Sequence, residues 1–306
     1  MSLTLKLQVQ FPFSIKVLRV ILNDKKIEHY DQREPVFSLN NLLFLLSKVI
    51  YCMSYDPNFS NQQSLYDSES TRLEIVTTCV GFDDILDATL SKNHAHADTY
   101  IVVTTHGDRA TQSVARKHGA TCVQSDLFFK NGRNFNKGAA INAGFDYFQY
   151  HGWRMHIDSD IILPDNFKRV LFNHSYLERH CLYGADRYNV IGNENIKKLL
   201  KSSANQHHHG LLVGETENDA MIGHRLVDNL RGYLPLGFFQ LWHASTQKPY
   251  PYSLGNASHD DMMFSALWPL HSRRHLPSVI CYHLCPSIPK IGENWDGIRK
   301  QAKLKI

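Results

Sequence analysis

The chain lacks a long apolar run. Its longest, Asn41 to Met53, contains Lys48 and falls short of the roughly 20 residues needed to cross a bilayer, so no transmembrane segment is expected. Met1–Gln10 shows no basic stretch leading into an apolar one, which speaks against a secretory signal. Paired cysteines are missing too. Cys52, Cys79, Cys122, Cys181, Cys281 and Cys285 form no Cys-x-x-Cys and no zinc spacing, and several sit in apolar runs, as reduced, buried thiols do. Together these absences predict a soluble, cytoplasmic protein (host cytoplasm if viral). A bias to one charge is absent as well: 33 Lys and Arg against 29 Asp and Glu leave a net +4, which permits an anionic partner without demanding one.

What is present is a change of pattern near residue 71. Residues 1–70 read as an extension of unknown role. It holds strand-like runs at Leu3–Phe13 and Ile15–Leu22, a helix capped by Ser38 through Leu42–Val49, and a polar linker from Asp56 to Thr71. From Arg72 strands and helices alternate. Leu73–Thr78, Tyr100–Thr104 and Thr121–Val123 are β-branched runs, and Phe82, Ile85, Leu86 and Leu90 recur at helical spacing. Asp108 and Asn136 stand as helix caps, and Gly119 as a stop. Such alternation predicts an α/β fold whose mostly parallel sheet is flanked by helices, with ligands at the carboxyl ends of its strands.

One such end is Asp158-Ser159-Asp160, which closes the apolar run from Trp153. If strand geometry persists, both carboxylates project to one side, where a hard divalent cation carrying phosphate oxygens would neutralise them. Asp-Ser-Asp is equally good turn chemistry. Downstream, Ser258-His259-Asp260-Asp261 places acids at a helix start, which is either simple dipole complementarity or a source of a general base. The stretch Gly232–Trp242 is dense in glycine and aromatics, which suit sugar rings or core packing. His207-His208-His209 lies in a polar stretch and is a weak metal candidate.

Leu73–Thr78, Asn136-Lys137-Gly138-Ala139-Ala140-Ile141-Asn142-Ala143-Gly144, Asp158-Ser159-Asp160 and Ser258-His259-Asp260-Asp261 fall in an order that resembles the metal-dependent GT-A glycosyltransferases, in their family 2-like and galactosyltransferase-like branches. Tyr282-His283-Leu284 and Asn294-Trp295-Asp296-Gly297 are similar to the ending of some members. The resemblance spans Arg72 to Gly297. It implies a Rossmann-like GT-A domain over residues 71–306, with a nucleotide-binding half at about 71–165 and an acceptor half at about 166–306. It also implies hexosyl or pentosyl transfer from a nucleotide-sugar, foremost a UDP-sugar, to an acceptor hydroxyl, with inversion and with Mn2+ or Mg2+ as cofactor. By the same resemblance Asp158, Asp160 and His283 hold the metal. Thr77, Thr78, Asp108, Asn136, Lys137, Gly138, Asn142, Asp158 and Ser159 contact the donor, and Phe239, Gln240, Trp242 and Trp295 the acceptor. His259 stands where the family often has an acid, which leaves both Asp260 and Asp261 open as the base; Asp260 is favoured.

The acceptor implied is a glycan or protein. A hydroxylated DNA base, as in phage DNA modification, is the other candidate, with Lys197, Lys198, Lys201, Arg231, Arg273 and Arg274 available for phosphates. Two other classes compete with this reading. A nucleotidyltransferase of related fold would want a glycine-rich basic loop where Thr78-Cys79-Val80-Gly81-Phe82-Asp83 stands. A non-catalytic carbohydrate- or nucleic-acid-binding module would not need Asp158, Asp160 and Asp260 together.

Overall fold

A computed structural model describes residues 7–10, 17–20, 71–132, 135–173, 177–202, 227–228, 232–251, 256–287 and 294–305. The Ser38 helix, the body of the polar linker, the triple histidine and Arg231 lie outside them. The chain divides into two compact units, residues 1–64 and 65–306. In the first, β1 (Leu7–Gln10) pairs antiparallel with β2 (Val17–Val20).

The second unit opens as the alternation predicts. β3 (Leu73–Thr78) is followed by α1 (Asp83–Asn93), β4 (Thr99–Thr104), α2 (Arg109–Lys117), β5 (Thr121–Gln124), α3 (Lys137–Phe145) and β6 (Trp153–Ile157). Then come β7 (Ile161–Ile162), α4 (Phe167–Phe172), β8 (Leu182–Ile191) and α5 (Asn193–Lys201). A small pair, β9 (Val227–Asp228) and β10 (Gly232–Tyr233), precedes β11 (Phe239–His243), α6 (Ala257–Ala266) and β12 (Arg273–Cys285).

Eight strands form one sheet in the order β5-β4-β3-β6-β11-β8-β12-β7. Pairing is parallel from β5 through β6 and again between β8 and β12. It is antiparallel at β6/β11, β11/β8 and β12/β7. Strand order turns at β3, whose neighbours β4 and β6 lie on opposite sides, and such a switch point leaves a crevice beyond the carboxyl ends.

Both faces of the sheet are covered. Leu73, Ile75, Val102, Met155 and Ile157 pack with Leu86 and Leu90 of α1, Ala115 of α2 and Phe167 and Leu171 of α4. Val76, Ile101 and Val103 meet Ala140 and Ile141 of α3, with Trp242, Tyr250 and Phe264 completing that layer. Buried on two faces, these strands read as continuous apolar runs rather than alternating ones. α3 lies close to the sheet because Gly144 has no side chain: a Cβ there would stand 2.6 Å from Val76 Cγ2 and 2.9 Å from Val103 Cγ2. The C-terminal tail is tied back to α1, where Arg299 grips Asp84 through both guanidinium nitrogens and lies 4.8 Å over the Phe82 ring.

Candidate active site

The strand β6 ends at Ile157, one residue before the first acid. A turn follows, with Ile161 N donating to Asp158 O at 3.2 Å, so the pleat no longer sets the direction of either carboxylate. The expectation that both aspartates share a strand face is corrected here. Asp158 turns to Lys137, whose Nζ lies 2.7 Å from its Oδ1. Asp160 turns to His283 on β12, with Nε2 3.1 Å from Oδ2.

His283 also donates from Nδ1 to Asn189 Oδ1 at 2.8 Å, its register partner on β8. Both ring nitrogens therefore carry protons. Burial and Arg187 push the imidazole down, but Asp160 outweighs them and lifts it to about 9. The same partnership acts in reverse on Asp160: burial pushes the carboxyl up, and His283 and Arg187 hold it below the usual range. Asp160 Oδ1 is buried with no hydrogen-bond donor. A carboxylate oxygen without a donor, beside an imidazole whose far nitrogen is already oriented by an amide oxygen, suits a hard divalent cation taking O and N ligands. Asp160 and His283 fit such an ion, while Asp158, two residues earlier, is engaged by Lys137. Asp158, Asp160 and His283 are not drawn together as a finished cage. Among the described residues the one trio of ligand atoms gathered within 4.8 Å is Glu178, His180 and Cys181.

The second acid pair opens α6, which Asn256 caps by accepting from His259 N. Asp260 and Asp261 are 1% and 8% exposed, so neither is a solvated surface acid. Asp260 Oδ2 accepts from Gly138 N at 2.9 Å, so the amino end of α3 binds an internal carboxylate. Asp261 Oδ2 takes the other side of Lys137 Nζ, at 2.9 Å, while its Oδ1 is buried without a donor. Burial pushes the Asp261 carboxyl up, Lys137 opposes it, and Asp158 adds to the rise, leaving it at about 7. The carboxylate rests on Gly237, where a Cβ would come within 2.0 Å of it.

Lys137 thus bridges two acids with its side chain only 6% exposed. Burial disfavours its charge, yet Asp158 and Asp261 raise its pKa further above the usual lysine range. Removing one partner of such a buried pair costs about 3 to 5 kcal/mol. Beside them His156 is fully buried, with Nε2 3.9 Å from Asp158 Oδ1; burial and Lys137 push it down to about 3, so it stays neutral.

Most of the other expected contact residues have partners within the protein. Asn136 is the cap of α3, accepting from Ala139 N at 3.1 Å; with Gly138 N engaged by Asp260, both groups expected to meet the donor are taken up within the protein. Asn142 is a backbone staple: its Nδ2 donates to Tyr250 O and its Oδ1 accepts from Tyr250 N, at 2.9 and 2.8 Å. Thr77 is sealed inside the sheet and its hydroxyl has no partner, whereas Thr78 reaches the strand end with 8% exposure. Asp108 caps α2 through Thr111 and also accepts from Gly81 N at 2.7 Å, which ties the loops after β3 and β4 together. Ser159 contributes its carbonyl to the Thr89 hydroxyl at 2.8 Å.

Of the expected acceptor residues, Phe239 and Trp242 are core side chains with no exposed surface, because β11 is an inner strand covered on both faces. Gln240 is equally buried and holds Pro235 O, Asp261 O and Ser265 Oγ at 2.9 to 3.0 Å through one amide nitrogen. It supports the backbone of the candidate base rather than a ligand. Trp295 alone of the four is open, at 39% exposure, and its carbonyl accepts from Ala257 N at the start of α6. Arg273 is buried and donates to Trp268 O and Ala266 O, so it is not available to a phosphate backbone. Sequence reading gave no sign of Asn189, Gly237 or the supporting role of Gln240; each is an ordinary strand or turn residue until the fold places it.

No family model and no curated protein matches the sequence. Solved structures do. Glucosyl-3-phosphoglycerate synthase from Mycobacterium tuberculosis, in complex with Mn2+, UDP-glucose and phosphoglyceric acid, is similar with a TM-score of 0.41 and 12% identity, covering 70% of this chain and 74% of that one. Its complex with Mn2+, UDP and glucosyl-3-phosphoglycerate gives 0.40 and 13%, over 71% of this chain and 72% of that one. Mannosyl-3-phosphoglycerate synthase from Rubrobacter xylanophilus gives 0.32 and 17%; the chain covers 41% of it, with 39% of its own length. All three scores lie below one half, so fold and site rest on this chain's own strands and side chains. No described helix is long and apolar enough to cross a membrane.

Proposed function

We propose that the protein is a metal-dependent glycosyltransferase of GT-A type, moving a sugar from a nucleoside diphosphate, foremost UDP, to an acceptor hydroxyl with inversion. One observation carries this reading: two acid pairs close the sheet's carboxyl side, each holding a buried oxygen without a donor, and their environments tune them in opposite directions. Such divergence separates roles. Asp160 would hold Mn2+ or Mg2+ with Asp158 and with His283, whose Nε2 proton would leave as the ion binds. When bound, the ion would neutralise the charge that develops on the departing diphosphate. Asp261, with its carboxyl near neutrality, suits removal of the acceptor hydroxyl's proton. Asp260, anchored on Gly138 N, serves to position the helix start.

The acceptor in this reading is a glycan or protein hydroxyl approaching past Trp295. No described feature favours DNA, and the engagement of Arg273 weighs against it. The test is release of nucleoside diphosphate from a panel of nucleotide sugars, with Mn2+ and Mg2+ compared. Acceptors should include glycans, proteins, phosphoglyceric acid and a hydroxymethylcytosine duplex. Metal-dependent release accelerated by one acceptor class, with an inverted product, is expected. Full turnover in excess EDTA, or a retained anomeric configuration, would overturn the proposal.

A further inference from the structure

Among the described residues, Lys137 forms an ion pair with a member of each acid pair. Its Nζ lies 2.7 Å from Asp158 Oδ1, on the turn after β6, and 2.9 Å from Asp261 Oδ2, on α6. Its own backbone opens α3, whose first amides are fixed by Asn136 and Asp260, so the ammonium has a rigid base. The two carboxylates differ in freedom. Asp158 is 30% exposed on a turn, whereas Asp261 is 11% exposed and rests against Gly237. A carboxylate oxygen in contact with an ammonium is a poor ligand for a second cation, because two positive charges would then share one oxygen. Lysine and a divalent ion therefore compete for Asp158.

We propose that Lys137 is a positioning latch: it holds Asp158 against Asp261 in the free protein and releases it only when the cation arrives with a nucleoside diphosphate. The incoming phosphate oxygens give the ammonium a replacement partner, so the exchange leaves no charge unpaired. Lys137 keeps its hold on Asp261 throughout. Metal alone binds weakly, metal with diphosphate binds tightly, and the lysine is the source of much of that difference. The inference rests on the reading of Asp158 and Asp160 as cation ligands.

The experiment is a titration with Mn2+, followed by the loss of its free-ion EPR signal, with no sugar present and hence no turnover. Wild type, Lys137→Met and Lys137→Arg are compared, each with and without UDP. Lys137→Met should bind Mn2+ alone about tenfold more tightly than wild type, within the range usual for coupled sites, and should gain less from UDP. Lys137→Arg keeps the competing charge and should stay near wild type in Mn2+ affinity, whereas a merely structural lysine predicts no tighter Mn2+ binding in Lys137→Met. Because Lys137→Met leaves two carboxylates facing each other, Asp261→Asn and the double variant Lys137→Met/Asp261→Asn form a second comparison that removes the repulsion. The double variant should again bind Mn2+ the more tightly of the two. Unchanged or weaker Mn2+ binding on loss of the lysine, in folded protein by circular dichroism, would overturn the latch while leaving the metal site standing. Absence of Mn2+ binding by wild type with UDP would overturn the metal site itself, and the latch with it.

Discussion

The turn after β6 and the first turn of α6 each carry two aspartates, and they show how differently one residue type behaves in two settings. On the turn, Asp160 gains a cationic partner of its own, His283, while Asp158 shares Lys137 with the helix pair. On the helix, Asp260 takes a backbone amide and Asp261 is left a share of Lys137. Asp160 is held ionised by its protonated neighbour, while burial drives Asp261 up to about 7. The count of acids is the same in both places. What differs is how many positive charges face each one, and that sets which can ligate a cation and which can carry a proton.

The sharpest way to break this comparison is to remove Asp160. Asp160→Ala should lower nucleoside diphosphate release by about three orders of magnitude, comparable to deleting a charge-stabilising group at a reacting centre. A folded Asp160→Ala protein with near-normal turnover would place the metal elsewhere. Next in size is the contrast inside the second pair. Asp261→Asn should cut kcat by roughly two to four orders of magnitude and leave UDP affinity alone. Asp260→Asn, which keeps an oxygen to accept from Gly138 N, should cost less in kcat. If Asp260→Asn proves the more damaging to kcat, the base is Asp260.

How much of this was legible before the fold was known follows from range. The strands of the parallel half are runs of β-branched residues, and the caps Asp108 and Asn136 act within four residues, so sequence spacing carries them. The acids were visible as acids. Spacing alone does not show their partners: Lys137 and Asp261 are 124 positions apart, and Asp160 and His283, 123 apart, were grouped only through the family resemblance. The aromatic stretch around Phe239–Trp242 misleads for another reason. Aromatic density is the same in a sugar-binding face and in a doubly covered strand, and only β11's place inside the sheet distinguishes them. The partner of Asn142, the Tyr250 backbone, is likewise 108 positions away.

A pH series sharpens the first pair further. The His283 pKa is raised in the fold from 6.5 to about 9 by Asp160, so its stabilising contribution is complete below pH 6.5 and is lost as pH rises through 9. Thermal melts of metal-free protein should fall by about 3 to 8 °C across that window, and His283→Asn should flatten the slope. A slope unchanged by the substitution would mean another group titrates there. The smallest expected effect is at Asn142. Asn142→Ala should lower stability by about 1 to 3 kcal/mol through the orphaned Tyr250 backbone groups and leave the donor KM unchanged. A raised KM with unchanged stability would restore Asn142 to the donor site.

β12 pairs with β8 in two runs, Arg273–His275 opposite Leu182–Gly184 and Ile280–Cys285 opposite Asp186–Ile191, with a bulge between. The four residues Leu276–Val279 face a single partner position, so that segment has slack, while the second run has none. Deleting or inserting one codon in the second run would rotate His283 away from Asp160 and bring Tyr282 or Leu284 into its place. Natural length variation in descendants of this gene should therefore gather in the bulge and stop short of Ile280.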